Sequence, residues 1–194
     1  MRKIRFAKES DALELLRIYK QYINTTITFE YVLPSVAEFQ RRIREFSEVY
    51  PYLVCERDDK IIGYAYAHRA FERAAFGWDA EVSIYLDKEA RGKGIGKRCY
   101  KVLLELLKEQ GIITVYSLIS TPNVRSERLH QEMGFEWIGT HKNTGYKAGK
   151  WCDISWYQIQ LNPYIDNPLP IRTIHELDFT KVKEILEIIL IYFI

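Results

Sequence analysis

The chain has 194 residues, enough for one domain with a sizeable core and an appendage, and its 47% hydrophobic and 28% charged residues are ordinary for a soluble fold. A formal net charge of +2, from basic residues spread along the chain, gives no support to a nucleic-acid partner. Three widely spaced cysteines (Cys55, Cys99, Cys152) supply neither a disulfide framework nor zinc-ligand spacing, so reduced thiols and no metal are expected.

In chain order, Lys3 to Ala7 reads as a short strand. Ser10-Asp11 caps a helix whose apolar stripe is Leu13, Leu15, Leu16, Ile18, Tyr19 and Tyr22. Thr25 to Glu30, rich in β-branched residues, suits an extended segment or loop. Ser35 and Glu38 form the capping box of a helix from Val36 to Glu48, buried through Phe39, Ile43 and Phe46 and ended by Tyr50-Pro51. Tyr52 to Glu56 and Lys60 to Ala67 are strands joined through Arg57-Asp58-Asp59. His68 to Gly77 carries Arg69, Phe71, Arg73 and Phe76. It is too long for a tight turn, and such loops on a rigid sheet are where substrate contacts tend to lie.

The stretch from Ala80 to Lys97 organises the chain. Its first half alternates, Val82, Ile84 and Leu86 on one face and Glu81, Ser83 and Tyr85 on the other, as a strand does. Its second half, Arg91-Gly92-Lys93-Gly94-Ile95-Gly96-Lys97, is glycine-rich and basic and runs into an amphipathic helix ending at Gly111. A strand delivering such a loop to a helix N-terminus makes an anion site, because bare backbone N–H groups and the positive end of the helix dipole converge there. Neither a nucleotide P-loop (G-x-x-x-x-G-K-[ST]) nor a dinucleotide fingerprint (G-x-G-x-x-G) fits the spacing. What remains is R-x-x-G-x-G, from Arg91, Gly94 and Gly96, which resembles the pyrophosphate-binding motif of the GNAT superfamily of N-acetyltransferases.

Ile112 to Ile119 is a further strand, and Thr121-Pro122 opens a helix with Leu129, Met133 and Phe135 on its apolar side, ended by Gly134. Glu136 to His141 and Ile154 to Leu161 are the last strand candidates, flanking a loop that holds Gly145, Gly149 and Trp151. Interspersed strands and helices predict an α/β (α+β) fold, a mixed central sheet with helices on both faces. The catalytic domain is expected to span residues 1–161. Residues 162–194 form an extension: a linker with Pro163, Pro168 and Pro170, then a strand-helix arm from Ile171 that echoes the N-terminal strand and helix and ends in the apolar run Ile188 to Ile194. That run is far below the ~20 residues that span a bilayer, and MRKIRFAKESD lacks a signal-peptide core, which predicts a cytoplasmic protein without membrane attachment.

Several separated motifs extend the resemblance. Tyr50-Pro51, Trp78 to Glu81, Asn123, Leu129-His130, Met133 to Phe135, Gly145 to Lys147, Gly149 and Lys150 to Asp153 are similar to the phosphinothricin and methionine sulfoximine acetyltransferase branch of that superfamily, and Thr28-Phe29-Glu30 fits its early active-site loop. The likeness covers the chain to about Leu161. It implies a GNAT-type fold, a homodimer, and direct transfer of acetyl from acetyl-CoA to the amine of a small amino-acid-like substrate. Glu81 matches the family's base and His130 a second proton carrier, at a position where many superfamily members have tyrosine. Ile84, Tyr85 and Leu86 match the backbone that pairs with pantetheine. Arg91 and Gly92 to Lys97, Ile95 included, match the pyrophosphate loop, and Asn123 a pantetheine contact. Arg73 is the candidate for a substrate carboxylate, since a guanidinium grips it bidentately. Phe29, Lys147 and Trp151 fall at the substrate rim. Cys99 lacks an adjacent histidine, which disfavours an acetyl-cysteine route. Another amine, such as a polyamine or a protein lysine, is an alternative acceptor, and a non-catalytic acyl-CoA sensor is the alternative from a different class.

Overall fold

A computed structural model describes residues 2–191, with side chains from Lys3 to Glu187. The apolar run Ile188 to Ile194 lies outside the described side chains. The elements are β1 (Arg2–Phe6), α1 (Ala12–Ile23), α2 (Val36–Ser47), β2 (Tyr52–Arg57), β3 (Lys60–Arg69), β4 (Asp79–Leu86), α3 (Ile95–Gln110), β5 (Thr114–Thr121), α4 (Val124–Glu132), β6 (Glu136–Lys147), β7 (Lys150–Gln160) and α5 (Phe179–Ile191). The strands form one seven-stranded sheet in the order β1-β2-β3-β4-β5-β7-β6. Only β4 and β5 run parallel, with α3 as the crossover between them; every other neighbour is antiparallel. No helix among the described residues is long and apolar enough to cross a membrane.

Period-2 alternation divides the core into two layers. On β3, Ala65 and Ala67 lie with α3, whereas Tyr64 and Tyr66 lie with α1 and α2. The small residues let α3 approach the sheet. The tyrosines build a ring stack on the other face, Tyr52 on Tyr66 at 4.8 Å and Tyr64 on Tyr85 at 5.3 Å between centroids. Four expectations are corrected at this level. Leu13 is 65% exposed: at about 100° per residue it points well away from the arc shared by Ala12, Leu15, Leu16 and Tyr19. α4 starts at Val124 rather than Thr121, because Asn123 takes the N-cap position and its Oδ1 accepts from the Ser126 N–H at 3.4 Å.

The third correction concerns the hairpin β6–β7. Both strands run through the segment expected to be a loop and close at Ala148-Gly149, whose φ angles of +52° and +75° suit a two-residue turn. A register break between His141 and Gly145 hides the continuity from sequence. There Asp153 accepts from the Asn143 N–H at 2.9 Å and from Lys142 Nζ at 2.8 Å.

The fourth is the arm, which among the described residues contains a helix but no strand. The Arg172 and Ile174 N–H groups donate to Gln110 O (2.8 Å) and Val49 O (2.9 Å), two isolated bonds to the ends of α3 and α2. The buried Gln110 amide ties the same three segments, donating to Val49 O at 2.6 Å and Arg172 O at 2.7 Å. Trp78 Nε1 holds the linker by donating to Leu169 O at 2.8 Å. Ile174, Val182 and Ile185 then enter the core beside α3. Ile185→Ala should therefore cost about 2–5 kcal/mol in a urea titration, as for other large-to-small core changes. A loss below about 0.5 kcal/mol, the level of a surface substitution, would show that α5 does not share the core.

Candidate active site

The sheet opens at one place. β4 and β5 pair only through Asp79↔Thr114, Ala80↔Val115 and Glu81↔Tyr116. Beyond that, β5 continues on β7 to Thr121 and β4 continues on β3 to Leu86, so the two parallel strands splay at their C-terminal ends, where open α/β sheets bind ligands. The Asp87 N–H donates to Ile62 O at 2.9 Å. By alternation the peptide groups of Glu81, Ser83 and Tyr85 then point to β3, and those of Val82, Ile84 and Leu86 point into the gap. Of the three residues expected to offer backbone to a ligand, Tyr85 is thus turned to β3. Leu86 meets the Tyr22 hydroxyl, which accepts from its N–H at 3.0 Å and donates to its C=O at 2.5 Å. Ile84 faces the gap with neither constraint.

The glycine loop closes the top of the gap. Gly92 and Gly94 have φ of +74° and +70°, a region that favours glycine, and Gly94 is the N-cap of α3. It offers no side-chain cap, so the first-turn N–H groups, from Ile95, Gly96 and Lys97, are left for an anion. Gly96 has a different reason: a Cβ there would lie 3.2 Å from Leu86 Cδ1 and 3.5 Å from Leu129 Cδ2, so its smallness seats α3 against β4 and α4. Cations ring the loop. Arg91 stands 4.8 Å over the Tyr22 ring, Lys93 Nζ donates to Glu89 O at 2.8 Å, and Lys97 Nζ lies 3.7 Å from Glu132. Asn123 spends its Oδ1 on the helix cap, which leaves its amide N–H groups to donate. These residues fit a diphosphate on an extended amide-bearing arm.

Glu81 and His130 flank the gap from opposite faces of the sheet. Glu81 shares its face with its register neighbours His68 and Tyr116, and His68 Nε2 is 3.8 Å from Glu81 Oε1. Burial pushes the Glu81 carboxyl upward and His68 partly opposes this. No ion pair joins Arg73 to Glu81 among the described residues; Arg73 is exposed in the β3–β4 loop, its carbonyl accepting from the Phe76 N–H.

His130 is 1% exposed, the only buried residue of α4, on the α3 side. Its Nδ1–H donates to Ser126 O at 2.7 Å, and Nε2 accepts from the Tyr100 hydroxyl at 3.0 Å. Tyr100 and Phe135 stand edge-on to the ring at 5.1 and 5.0 Å. Burial brings the imidazole down to about 4, against a smaller opposing effect of the Ser126 carbonyl. At neutral pH it is an uncharged ring with both nitrogens engaged. Cys99 is buried, and its thiol is pushed up by a hydrogen bond with Cys55 and by burial, so it carries no thiolate for an acyl-enzyme.

Phe29, Lys147 and Trp151 separate into two roles. Lys147 is 5% exposed, with Nζ donating to Thr28 O and, at 2.8 Å, to Glu30 O. It straps the α1–α2 connection to β6 instead of presenting a cation to solvent. The Phe29 ring occupies the space where a Cβ on Gly145 would stand, and the Tyr31 hydroxyl donates to Tyr146 O, so the same connection is fastened three times. Trp151 is 60% exposed and edge-on to Tyr146 at 5.4 Å. His68, Tyr100 and Tyr22 are the site residues that sequence reasoning missed. Helical spacing placed Tyr22 on a buried face, but only the fold brings it to Leu86 and brings Tyr100 to His130.

His130 sets a test of this geometry. Its folded pKa, near 4, lies below the ordinary 6.5, so the unfolded chain binds more protons between these values. The contribution is complete above pH 6.5 and is lost as pH falls toward 4, in all about 3 kcal/mol. His130→Gln should flatten that part of the stability-against-pH curve measured by urea unfolding. An unchanged slope between pH 6.5 and 4 would show that His130 is not sealed as described.

Similarity to known proteins agrees with this architecture. The acetyltransferase (GNAT) domain family matches residues 4–156. Phosphinothricin N-acetyltransferase of Streptomyces viridochromogenes is 32% identical over 157 residues, covering 80% of this chain and 86% of that protein. The L-methionine sulfoximine/L-methionine sulfone acetyltransferase of Pseudomonas aeruginosa is 33% identical over 168 residues, covering 82% and 95%. Among solved structures, a phosphinothricin acetyltransferase from Sinorhizobium meliloti in complex with AcCoA superposes with a TM-score of 0.82 at 32% identity, covering 89% of this chain and 98% of that one. By the family match over residues 4–156 and by these relatives, the chain belongs to the GNAT acetyltransferases and is an acyltransferase.

Proposed function

We propose that the chain is an acetyl-CoA-dependent N-acetyltransferase acting on the amine of a small amino-acid-like acceptor of the phosphinothricin or methionine sulfoximine type. The observation that carries this is the gap between β4 and β5, with a bare helix N-terminus at its top and the half-buried Glu81 at its base. We assign the acetyltransferase domain to residues 1–161 and an appended arm to 162–194, in a cytoplasmic homodimer. The named substrates of the relatives, at 32–33% identity, support the acceptor class.

Bound acetyl-CoA supplies an activated acyl group as a thioester. The α3 N-terminus and its ring of cations hold the diphosphate, and the Ile84 peptide pairs with the arm as an added strand. Glu81, raised toward the working pH by burial, accepts a proton from the acceptor ammonium. The free amine then forms the C–N bond, the C–S bond breaks, and the second amine proton passes through water to the departing CoA sulfur, leaving the amide and free CoA. Arg73, on the loop beside β4, meets the acceptor carboxylate. His130 acts as a positioning residue, fixing the Tyr100 hydroxyl on the α3 side of the gap.

Acetyl-CoA consumption against a panel of small amines tests the reading. Turnover with amino-acid amines is expected, and cofactor binding without turnover of any amine would overturn it in favour of a sensor. Gly94→Asp should abolish acetyl-CoA binding in calorimetry, since a carboxylate at the N-cap repels the diphosphate and fills its approach; near-native affinity would rule out the anion loop. Glu81→Gln should lower kcat by roughly 10²- to 10⁴-fold with cofactor affinity little changed, and remove an acid limb lying above the ordinary glutamate value of 4.5. A pH profile identical to that of the native enzyme would mean that another group takes the proton.

A further inference from the structure

The sheet face that carries Glu81 continues sideways into an open hollow of about 340 Å³, lined by Phe71, Tyr116, Ile138, Gly139, His141 and Trp156. It begins beside the reacting carboxylate. Tyr116 is the register partner of Glu81 across the parallel pair, so the two Cα positions are one strand spacing, ~4.8 Å, apart. Trp156 and His141 follow on the same face through the ladders β5–β7 and β7–β6.

Three rings form one wall. Phe71 and Trp156 are parallel within 4° at 6.3 Å between centroids, and Tyr116 stands edge-on to both, at 5.5 and 6.1 Å. The Trp156 ring also meets His141 at 5.7 Å. Across from them Gly139 leaves space: a Cβ built there meets nothing within 4 Å. No lysine or arginine lines the hollow, so it offers no counter-charge to an anionic side chain. Aromatic faces with exposed edges instead suit another ring, which gains both apolar burial and edge-to-face contact. A concave apolar surface with few polar groups, opening next to a titratable residue with a raised pKa, is the usual form of a ligand pocket.

We propose that this hollow takes the side chain of the acceptor, and that the acceptor is an α-amino acid with an aromatic or similarly bulky uncharged side chain. Its amine then lies at Glu81 and its ring against Phe71, Tyr116 and Trp156. This rests on the acetyltransferase reading and narrows it to the uncharged, methionine sulfoximine-like members of that acceptor class, because an anionic side chain such as the phosphinate of phosphinothricin finds no partner here. It also gives the β3–β4 loop a second task, since Phe71 on that loop completes the wall.

The experiment compares kcat/KM of the full chain, at saturating acetyl-CoA, for L-phenylalanine, L-alanine and L-glutamate. L-phenylalanine should exceed L-alanine by roughly 10- to 200-fold, the discrimination that apolar pockets provide, and L-glutamate should fall below both. Gly139→Val fills the hollow with a residue suited to a strand, and Phe71→Ala removes one ring from a loop. Each should shrink the phenylalanine-to-alanine ratio by about 10-fold or more, with melting temperature confirming the fold. Phe71→Ala carries the test if the strand variant does not fold. A native ratio near one, or a ratio unchanged in the folded variants, overturns the proposal while leaving the acetyltransferase reading intact. Absence of turnover with every amine overturns both.

Discussion

The functional architecture depends on a sheet that fails to close. β4 and β5 are neighbours joined by a helical crossover, yet they pair over three positions and then part. Each is fully paired on its other side, β4 with β3 from Ala80 to Leu86 and β5 with β7 from Thr114 to Thr121, so neither strand is frayed. On these two strands the described peptides that face the gap beyond the Glu81–Tyr116 pair have no sheet partner. An unpaired peptide group costs free energy when it is sealed from water, so such a row persists where water or a ligand can reach it. The gap is therefore a backbone-level device, and side chains adapt to it. Tyr22 closes its far end at Leu86, the glycine loop roofs it, and Glu81 marks the last paired position.

This also explains what could be read from sequence. Strand, glycine loop and helix from Ala80 to Gln110 were legible because alternation, glycine spacing and amphipathic period are local signals, and they survive folding unchanged. Glycine at 92 and 94 reports a backbone conformation, which is local too. The strands flanking Gly145 were not legible, since a register break filled with polar residues looks like a loop when the partner strand is unseen. The segment after Pro170 failed in the opposite direction. Its alternation resembles a strand, but it runs across the ends of α2 and α3 where only two carbonyls await it.

The candidate site was legible by residue and not by partnership. Glu81 was placed correctly on a strand face, yet its neighbour His68 across β3 was not foreseen, because register between β3 and β4 is fixed by a loop whose length does not reveal it. Lys147 was read as a rim cation and is instead consumed by two backbone carbonyls. His130 shows why burial decides role. The α3 side of the sheet keeps its imidazole neutral at pH 7, with Nδ1–H on Ser126 O and Nε2 accepting from the Tyr100 hydroxyl. The sheet thus places the two candidate proton carriers on opposite faces, Glu81 beside His68 and His130 beside Tyr100.

The arm beyond the matched family region is foreshadowed by α3 itself. Its buried positions, Ile95, Gly96, Cys99, Tyr100, Val102, Leu103, Leu104, Leu106, Leu107 and Gln110, sweep an arc of about 200° around the helix. A helix resting on one sheet needs an apolar stripe nearer to 100°, so α3 has more apolar surface than the sheet can cover. α5 packs against α3, and Val182 and Ile185 complete the cover. Gln110 then gains its role from the same demand. Sealed at the end of α3 by the incoming chain, its amide must find acceptors inside the protein, and those acceptors are carbonyls of the two segments that seal it. The helix capped by Gly94 is in this way held along its length by sheet and arm together, which fixes where its N-terminus points.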